Sequence, residues 1–432
     1  MMRVTLLSHS DNGGGASRAA YRLYRGLQAA DIEPRMLVRS KQSGDWTVSA
    51  TSANHAKAVN LMRSRIGGHM MRLQKTANAN MHSTNFLPSN LAASLNASDA
   101  SVVNLHWLGG EAMSVEDIGR ICKPVVWTLH DMWAFCGAEH VADDTADARW
   151  RTGYTRSNRP AGSGWFDIDR HTWRRKQRAW TKPVQVVTPS RWLADCVRHS
   201  ALMQEWPVAV IPNVLDTEMF KPLERLYCRH VLNLPGDKKI VLFGALGGAQ
   251  SRNKGYDLLL GALHLLAASH PDLLCVVFGQ GEPQVLPAIP LPIKWMGHIA
   301  DDATLALLYG AADVMVIPSR LENLPQSGTE AHACGCPVVA FHCSGLPDVV
   351  EHRITGYLAA PYQIDDLAHG IAWVVNDKLV NATLGTAARR RAQMLWSASA
   401  VVPAYLAVYD AVRTAQRAPH DFTRLVRRAQ EF

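Results

Sequence analysis

Short runs of aliphatic residues alternate with longer stretches of helical period, and the alternation runs through this chain twice. The first series holds Val4–Ser8, Met36–Val38, Val102–His106, Val125–Leu129 and Val184–Thr188. A helix is expected over Ala16–Ala30, where Ala20, Leu23, Leu27 and Ala30 share one face. The second series holds Lys239–Phe243, Leu274–Phe278, Ile293–Met296, Val314–Ile317 and Val338–Phe341. Helical runs at Asp257–Ser269, Ala303–Gly310 and Gly328–Ala333 separate its strands. Parallel strands need a crossover, usually a helix, so this pattern implies α/β sheets covered by helices. Two series imply two sheets. The junction falls at Ile211–Asp216, which divides the chain into residues 1–212, residues 213–402 and a terminal helical segment, 403–432. Residues 50–98 read as helical or irregular, and no internal repeat is evident.

With 432 residues, 47% of them apolar, the chain is long enough for two or three cores. No apolar run reaches the ~20 residues of a membrane span. The opening Met-Met-Arg-Val-Thr-Leu-Leu-Ser-His is too short and polar for a signal peptide, so a cytoplasmic location is expected. The eight cysteines are scattered. Cys334 and Cys336 are too close for a normal disulfide and no Cys/His spacing suits zinc, so buried free thiols are expected. Charge is uneven. Residues 1–212 carry 26 Lys and Arg against 17 Asp and Glu, a net +9, while residues 213–432 carry 19 against 20. An excess confined to one half suggests an anionic partner there. Membrane headgroups, a lipid-pyrophosphate acceptor and nucleic acid all fit, and charge alone does not choose among them.

In open α/β sheets ligands bind at the carboxyl ends of the strands. Four such ends carry suitable chemistry. After Val314–Ile317 comes Arg320–Val339, with Glu322 and Glu330 eight positions apart around a small-residue turn. Carboxylates accept sugar hydroxyls, and a loop entering a helix exposes N–H groups to phosphate. After Lys239–Phe243 come Arg252 and Lys254, two cations able to face a diphosphate. Solvated loop cations are equally ordinary on their own. After the first strand, Gly13, Gly14 and Gly15 open a helix without completing a Gly-x-Gly-x-x-Gly fingerprint. His130-Asp131 follows Val125–Leu129, where a lone histidine is more often structural. Gly279 and Gly297 end two further strands, where a base could lie against backbone.

Taken together, Glu322-x7-Glu330, Lys254-Gly255 and His130-Asp131 resemble the motifs of family 4 retaining glycosyltransferases, over roughly Val4 to Leu406. The stretch Trp127–Trp133 is similar to bacterial exopolysaccharide transferases of the colanic-acid type. The resemblance implies the GT-B fold, two Rossmann-like doubly wound domains facing across a cleft. The first would bind acceptor and the second nucleotide sugar, with the terminal helices crossing back to the first. It implies that Glu330 meets the ribose, Glu322 the donor sugar, and Lys254 and Arg252 the departing diphosphate. Backbone N–H groups at Asn323, Leu324 and Ser327 would meet the phosphates. His130 would hydrogen-bond near the anomeric carbon, and Gly13, Gly14 and Gly15 would border the diphosphate and acceptor. No metal and no cofactor are implied. The donor would be a UDP- or GDP-sugar, the acceptor a glycan or polyprenyl-pyrophosphate-linked oligosaccharide at the inner face of the membrane.

Two departures stand out. The family's arginine upstream of the Lys-Gly element is replaced by Gly248, and clustered cysteines after His-Asp are reduced to Cys136. The basic, Trp-containing segment 149–180 reads as a solvated helix face or an acceptor or membrane contact, with nucleic acid the weakest fit. The run Phe422–Arg428 reads as a solvated terminus or a membrane-surface foot. The competing class is a non-catalytic nucleotide- or polyanion-binding protein using the basic half. It explains the charge but not the combination of Glu322, Glu330 and Lys254. An NAD-dependent enzyme is disfavoured by the incomplete glycine fingerprint.

Overall fold

Parallel strands covered on both faces read as continuous apolar runs, and seven of the strands here are buried along their whole length or at all but one position facing inward. The computed structural model describes residues 2–30, 32–50, 62–63, 65–67, 69, 76, 78–161, 166–244 and 251–417. These form two compact units, one of residues up to 213 joined by 401–417, the other of residues 214–400.

The first unit holds β1 (Arg3–Ser10), β2 (Glu33–Ser40), β3 (Val48–Ala50), β4 (Val102–Leu105), β5 (Val125–Thr128), β6 (Gln185–Thr188) and β7 (Val208–Val210). Every pairing is parallel, in the order β3-β2-β1-β4-β5-β6-β7. The second unit holds β8 (Lys239–Gly244), β9 (Leu273–Phe278), β10 (Ile293–Trp295), β11 (Val314–Ile317), β12 (Val338–Phe341) and β13 (Gly356–Ala359). Its sheet is also parallel, in the order β10-β9-β8-β11-β12-β13. Each sheet thus has the doubly wound order, with strand direction of travel reversing between β1 and β4 and between β8 and β11. Crevices form at such switch points.

Three strands, β3, β7 and β13, were not expected from the sequence. β3 and β7 are three residues long and partly exposed, and β13, though buried at all but one position, is only four residues long and opens with Gly356, so the apolar signal is short in each. The terminal helix begins at Ala398 rather than Pro403, which sits inside it. Tyr405 and Tyr409 of this helix are buried in the first unit. The Tyr409 hydroxyl donates to Asn104 Oδ1 at 2.6 Å, and the Tyr405 hydroxyl lies 3.2 Å from that of Thr128. Residues 418–432, with the basic run Phe422–Arg428, and Gly248 lie outside the described residues. All eight cysteines are free; six are buried, but Cys122 is exposed and Cys343 only half-buried. No helix among the described residues is long and apolar enough to cross a membrane.

Buried histidine adds an acid-sensitive element. His332 lies fully buried beside Trp396, and burial holds its pKa down at about 3. Between pH 6.5 and 3 the unfolded chain therefore binds a proton that the folded chain does not. That difference makes stability fall as pH falls through this window, by up to about 1.4 kcal/mol per pH unit. A His332→Phe variant should lose less of its thermal midpoint than the parent between pH 6.5 and 5. Parallel loss in both proteins would contradict this.

Candidate active site

In the second unit, three loops meet beyond the carboxyl ends of β8, β11 and β12. The first is the turn Arg252–Lys254 and Gly255, the second runs from Pro318 to Pro325, the third from Cys343 to Gly345. Their approach is close enough to require glycine at two points. A Cβ on Gly255, whose φ is +66°, would stand 1.8 Å from the Pro318 carbonyl oxygen, and one on Gly345 would stand 1.5 Å from that of Asn323. Arg320 binds the first two loops. Its backbone N–H donates to Asn253 O at 2.8 Å, its Nη1 to Arg252 O at 2.7 Å, and its guanidinium grips Asp257 with two bonds of 2.8 and 2.6 Å. The Glu322 N–H donates to Ser344 Oγ at 2.9 Å and the Gly345 N–H to Glu322 O at 2.9 Å, which ties in the third.

On this frame Lys254 Nζ and Glu322 Oε2 stand 2.7 Å apart, both partly open to solvent. Arg252 is exposed beside them, and among the described residues no carboxylate pairs with its guanidinium. Glu330 lies in the middle of the helix Gln326–Ala333, not at its start, and is 2% exposed. The Tyr309 hydroxyl donates to its Oε2 at 2.8 Å, fixing the carboxylate's orientation. Asn323 and Ser327 are half-buried, while the Leu324 side chain packs into the core, leaving only its backbone for a ligand. Gly279 and Gly297 come together: the Gly279 N–H donates to Gly297 O at 2.8 Å.

In the first unit, Gly13 and Gly14 bridge the end of β1 to the helix Gly15–Gln28, whose first residue is Gly15. The adjoining Asp11 is buried and accepts from the Gln42 and Ser43 N–H groups at 2.7 and 3.1 Å, joining this loop to the one after β2. His130 follows β5; burial of its ring disfavours the charged form and lowers its pKa to about 4, against the opposing pull of Asp131. Its Nε2 lies 3.0 Å from Nδ1 of His106, which follows β4. Asp131 is held harder still. One carboxylate oxygen takes the Trp107 indole N–H at 2.6 Å and lies 2.6 Å from His140 Nδ1, and the other takes the Trp133 N–H at 3.0 Å. His140 Nε2 is in turn 2.7 Å from Ser83 Oγ. This Ser83-His140-Asp131 arrangement has the atoms of a hydrolytic triad, but Ser83 is 3% exposed, so it fixes a loop rather than meeting a substrate.

The segment 149–180 keeps part of its sequence reading: His171, Arg174 and Arg178 of its helix are exposed, but the neighbouring cations and the tryptophans are not. Trp150, Trp173 and Trp180 are buried and offer no face for stacking on bases. In the helix Ile168–Ala179, Arg175 holds Glu116 and the Thr84 and Asn85 carbonyls. Lys176 is fully buried and donates to the carbonyls of Trp133, Cys136 and Gly137. Among the described residues no cluster of three or more His, Cys, Asp or Glu is arranged to hold a metal. Sequence reading missed Arg320, Ser344, Tyr309, His106 and His140. His106 carries the same strand-end signal as His130 but reads as the last residue of the strand Val102–His106.

Two family models match the chain, "Glycosyltransferase Family 4" over residues 13–219 and "Glycosyl transferases group 1" over residues 228–391. A D-inositol 3-phosphate glycosyltransferase of Saccharomonospora viridis is 33% identical over 202 residues, 43% of this chain and 45% of that protein. The chain spans about half the length of the curated relatives it matches. Sucrose-phosphate synthase of Thermosynechococcus elongatus is similar in structure, with a TM-score of 0.65 at 18% identity, covering 96% of this chain and all (100%) of that one. Anabaena HepE in complex with UDP-glucose gives a TM-score of 0.62 at 16% identity, covering 97% and 100%. With one model on each half and the two doubly wound sheets of the GT-B fold, the chain belongs to the family 4 glycosyltransferases.

Proposed function

We propose that this protein transfers a hexosyl group from a UDP- or GDP-sugar, with retention and without a metal, to a glycan or lipid-linked oligosaccharide in bacterial surface polysaccharide synthesis. The observation that carries the reading is the Lys254–Glu322 pair, held on three interlocked loops at a switch point, with Arg252 exposed beside it. Cleavage of the bond from the anomeric carbon to the phosphate oxygen leaves negative charge on the diphosphate. Lys254, Arg252 and the N–H groups opening the helix Gln326–Ala333 would stabilise it. Glu322 would accept from donor-sugar hydroxyls and Glu330 from the ribose. The acceptor oxygen would bond to the anomeric carbon on the face the diphosphate leaves, and a phosphate oxygen would take the acceptor's proton. Association with the inner membrane face through the basic half belongs to the same reading.

Anabaena HepE was solved with UDP-glucose, which makes uridine nucleotides the first to try. A thermal-shift series with UDP, GDP, ADP and their sugar conjugates, without added metal, should show selective stabilisation by one nucleotide, lost in Glu330→Ala. Absence of any shift at millimolar nucleotide, together with no turnover on lipid-linked acceptor, would sink the proposal.

A further inference from the structure

His106 and His130 stand at the carboxyl ends of β4 and β5, which are neighbours in the first sheet. Their ring planes are 20° apart with centroids at 5.3 Å, and the contact is His106 Nδ1 to His130 Nε2 at 3.0 Å. The centroid separation exceeds the contact by little more than two ring radii. The rings therefore meet edge to edge, with the hydrogen bond in their common plane.

One proton lies between them, and its owner can be worked out. His106 is 2% exposed, and its other nitrogen, Nε2, is buried with no hydrogen-bond partner among the described residues. Were the shared proton on His130, neutral His106 would carry its own proton on Nε2, an N–H buried with nothing to accept it. Leaving a buried donor unmet costs about 1–3 kcal/mol. Placing the proton on Nδ1 leaves only an unmet lone pair at Nε2, the more tolerable of the two. Protonating both nitrogens would bury an uncompensated imidazolium, a larger cost again.

We infer that His106 is a positioning residue for the proposed transfer: it donates Nδ1–H to His130 Nε2 and fixes His130 as the tautomer protonated on Nδ1. The inference rests on the proposed transfer and on His130 hydrogen-bonding near the anomeric carbon, as the family resemblance implies. So fixed, His130 is a hydrogen-bond donor through Nδ1, and its Nε2 lone pair is committed to His106 and not available as a base. The neighbouring Asp131 is clamped by Trp107, His140 and the Trp133 N–H, so the strand end is held from both sides.

The test begins with long-range proton–nitrogen NMR of the full chain carrying nitrogen-labelled histidine, with His130 assigned through His130→Gln. His130 Nε2 should resonate as an unprotonated, pyridine-like nitrogen and Nδ1 as a protonated, pyrrole-like one. The reverse pattern overturns the positioning, whatever the activity. In kinetics, His106→Leu should lower kcat about ten- to a hundredfold with little change in donor KM, the scale of a small misplacement at a reacting centre. His106→Gln keeps an N–H for the same lone pair and should recover most of that loss. Wild-type kcat in His106→Leu overturns the proposal. If that variant fails to fold, the tautomer in the parent protein decides. Full activity in His130→Ala overturns the role in transfer, whatever the tautomer, so the two failures are distinguishable.

Discussion

Replacing Lys254 with alanine is expected to lower kcat about a hundred- to a thousandfold while the protein stays folded. The rate estimate is what removal of one preorganised donor from a developing anion typically costs. Stability should change little, because the Lys254–Glu322 pair is partly exposed, at 34% and 17%. Exposed pairs contribute about 0–1 kcal/mol, or roughly 2–4 °C at most in a unit of this size. The two effects thus differ in scale by enough to be separated in one experiment. Removing Lys254 also frees the Glu322 carboxylate, so part of the loss should appear in donor KM. Arg252→Ala should cost less, since Arg252 is not fixed by a carboxylate and its loss leaves Lys254 in place. Steady-state kinetics with a saturating acceptor, beside thermal melts, would decide. A Lys254→Ala variant with kcat within threefold of the parent would remove Lys254 from the chemistry.

How much of this was legible beforehand follows from the kind of signal each residue gives. Continuous apolar strands such as β9, β11 and β12 announce themselves, because a parallel sheet buries both faces. Lys254 and Glu322 could each be placed at a strand end, although their contact spans 68 positions and only the fold reveals it. Arg320 was invisible as a clamp because its partners are backbone carbonyls and Asp257, which a one-dimensional pattern does not single out. Tyr309 reads simply as an apolar position of the helix Asp302–Ala311, yet its hydroxyl sets the orientation of Glu330. In the helix Ile168–Ala179 a solvated charged face is the plain expectation, since Lys and Arg almost never bury unpaired; Arg174 and Arg178 follow it, and Arg175 and Lys176 do not. What overrode that rule is a set of carbonyls from a distant loop, which no local spacing encodes.

Lys176 is the clearest of these, and Lys176→Met should be the most damaging single change in the first unit. Its ammonium donates to the carbonyls of Trp133, Cys136 and Gly137 and sits 3.9 Å from the centroid of the Trp133 ring. It holds this turn together much as a bound cation would. Methionine fills similar space, so the change removes the donors without opening a large cavity. Unmet buried carbonyls cost about 1–3 kcal/mol each before relaxation. A loss on the order of 3 kcal/mol corresponds to roughly 6–12 °C in a unit of this size. The turn begins two residues after Asp131, whose Oδ1 accepts the Trp133 N–H. Loosening it should therefore also disturb His130-Asp131, and activity should fall below what the melting temperature alone explains. Lys176→Arg should rescue poorly, because a planar guanidinium does not fit donors converging on one point. A Lys176→Met protein melting within 2 °C of the parent would show that the three carbonyls find other partners. In that case the turn is held by its surroundings, not by the lysine.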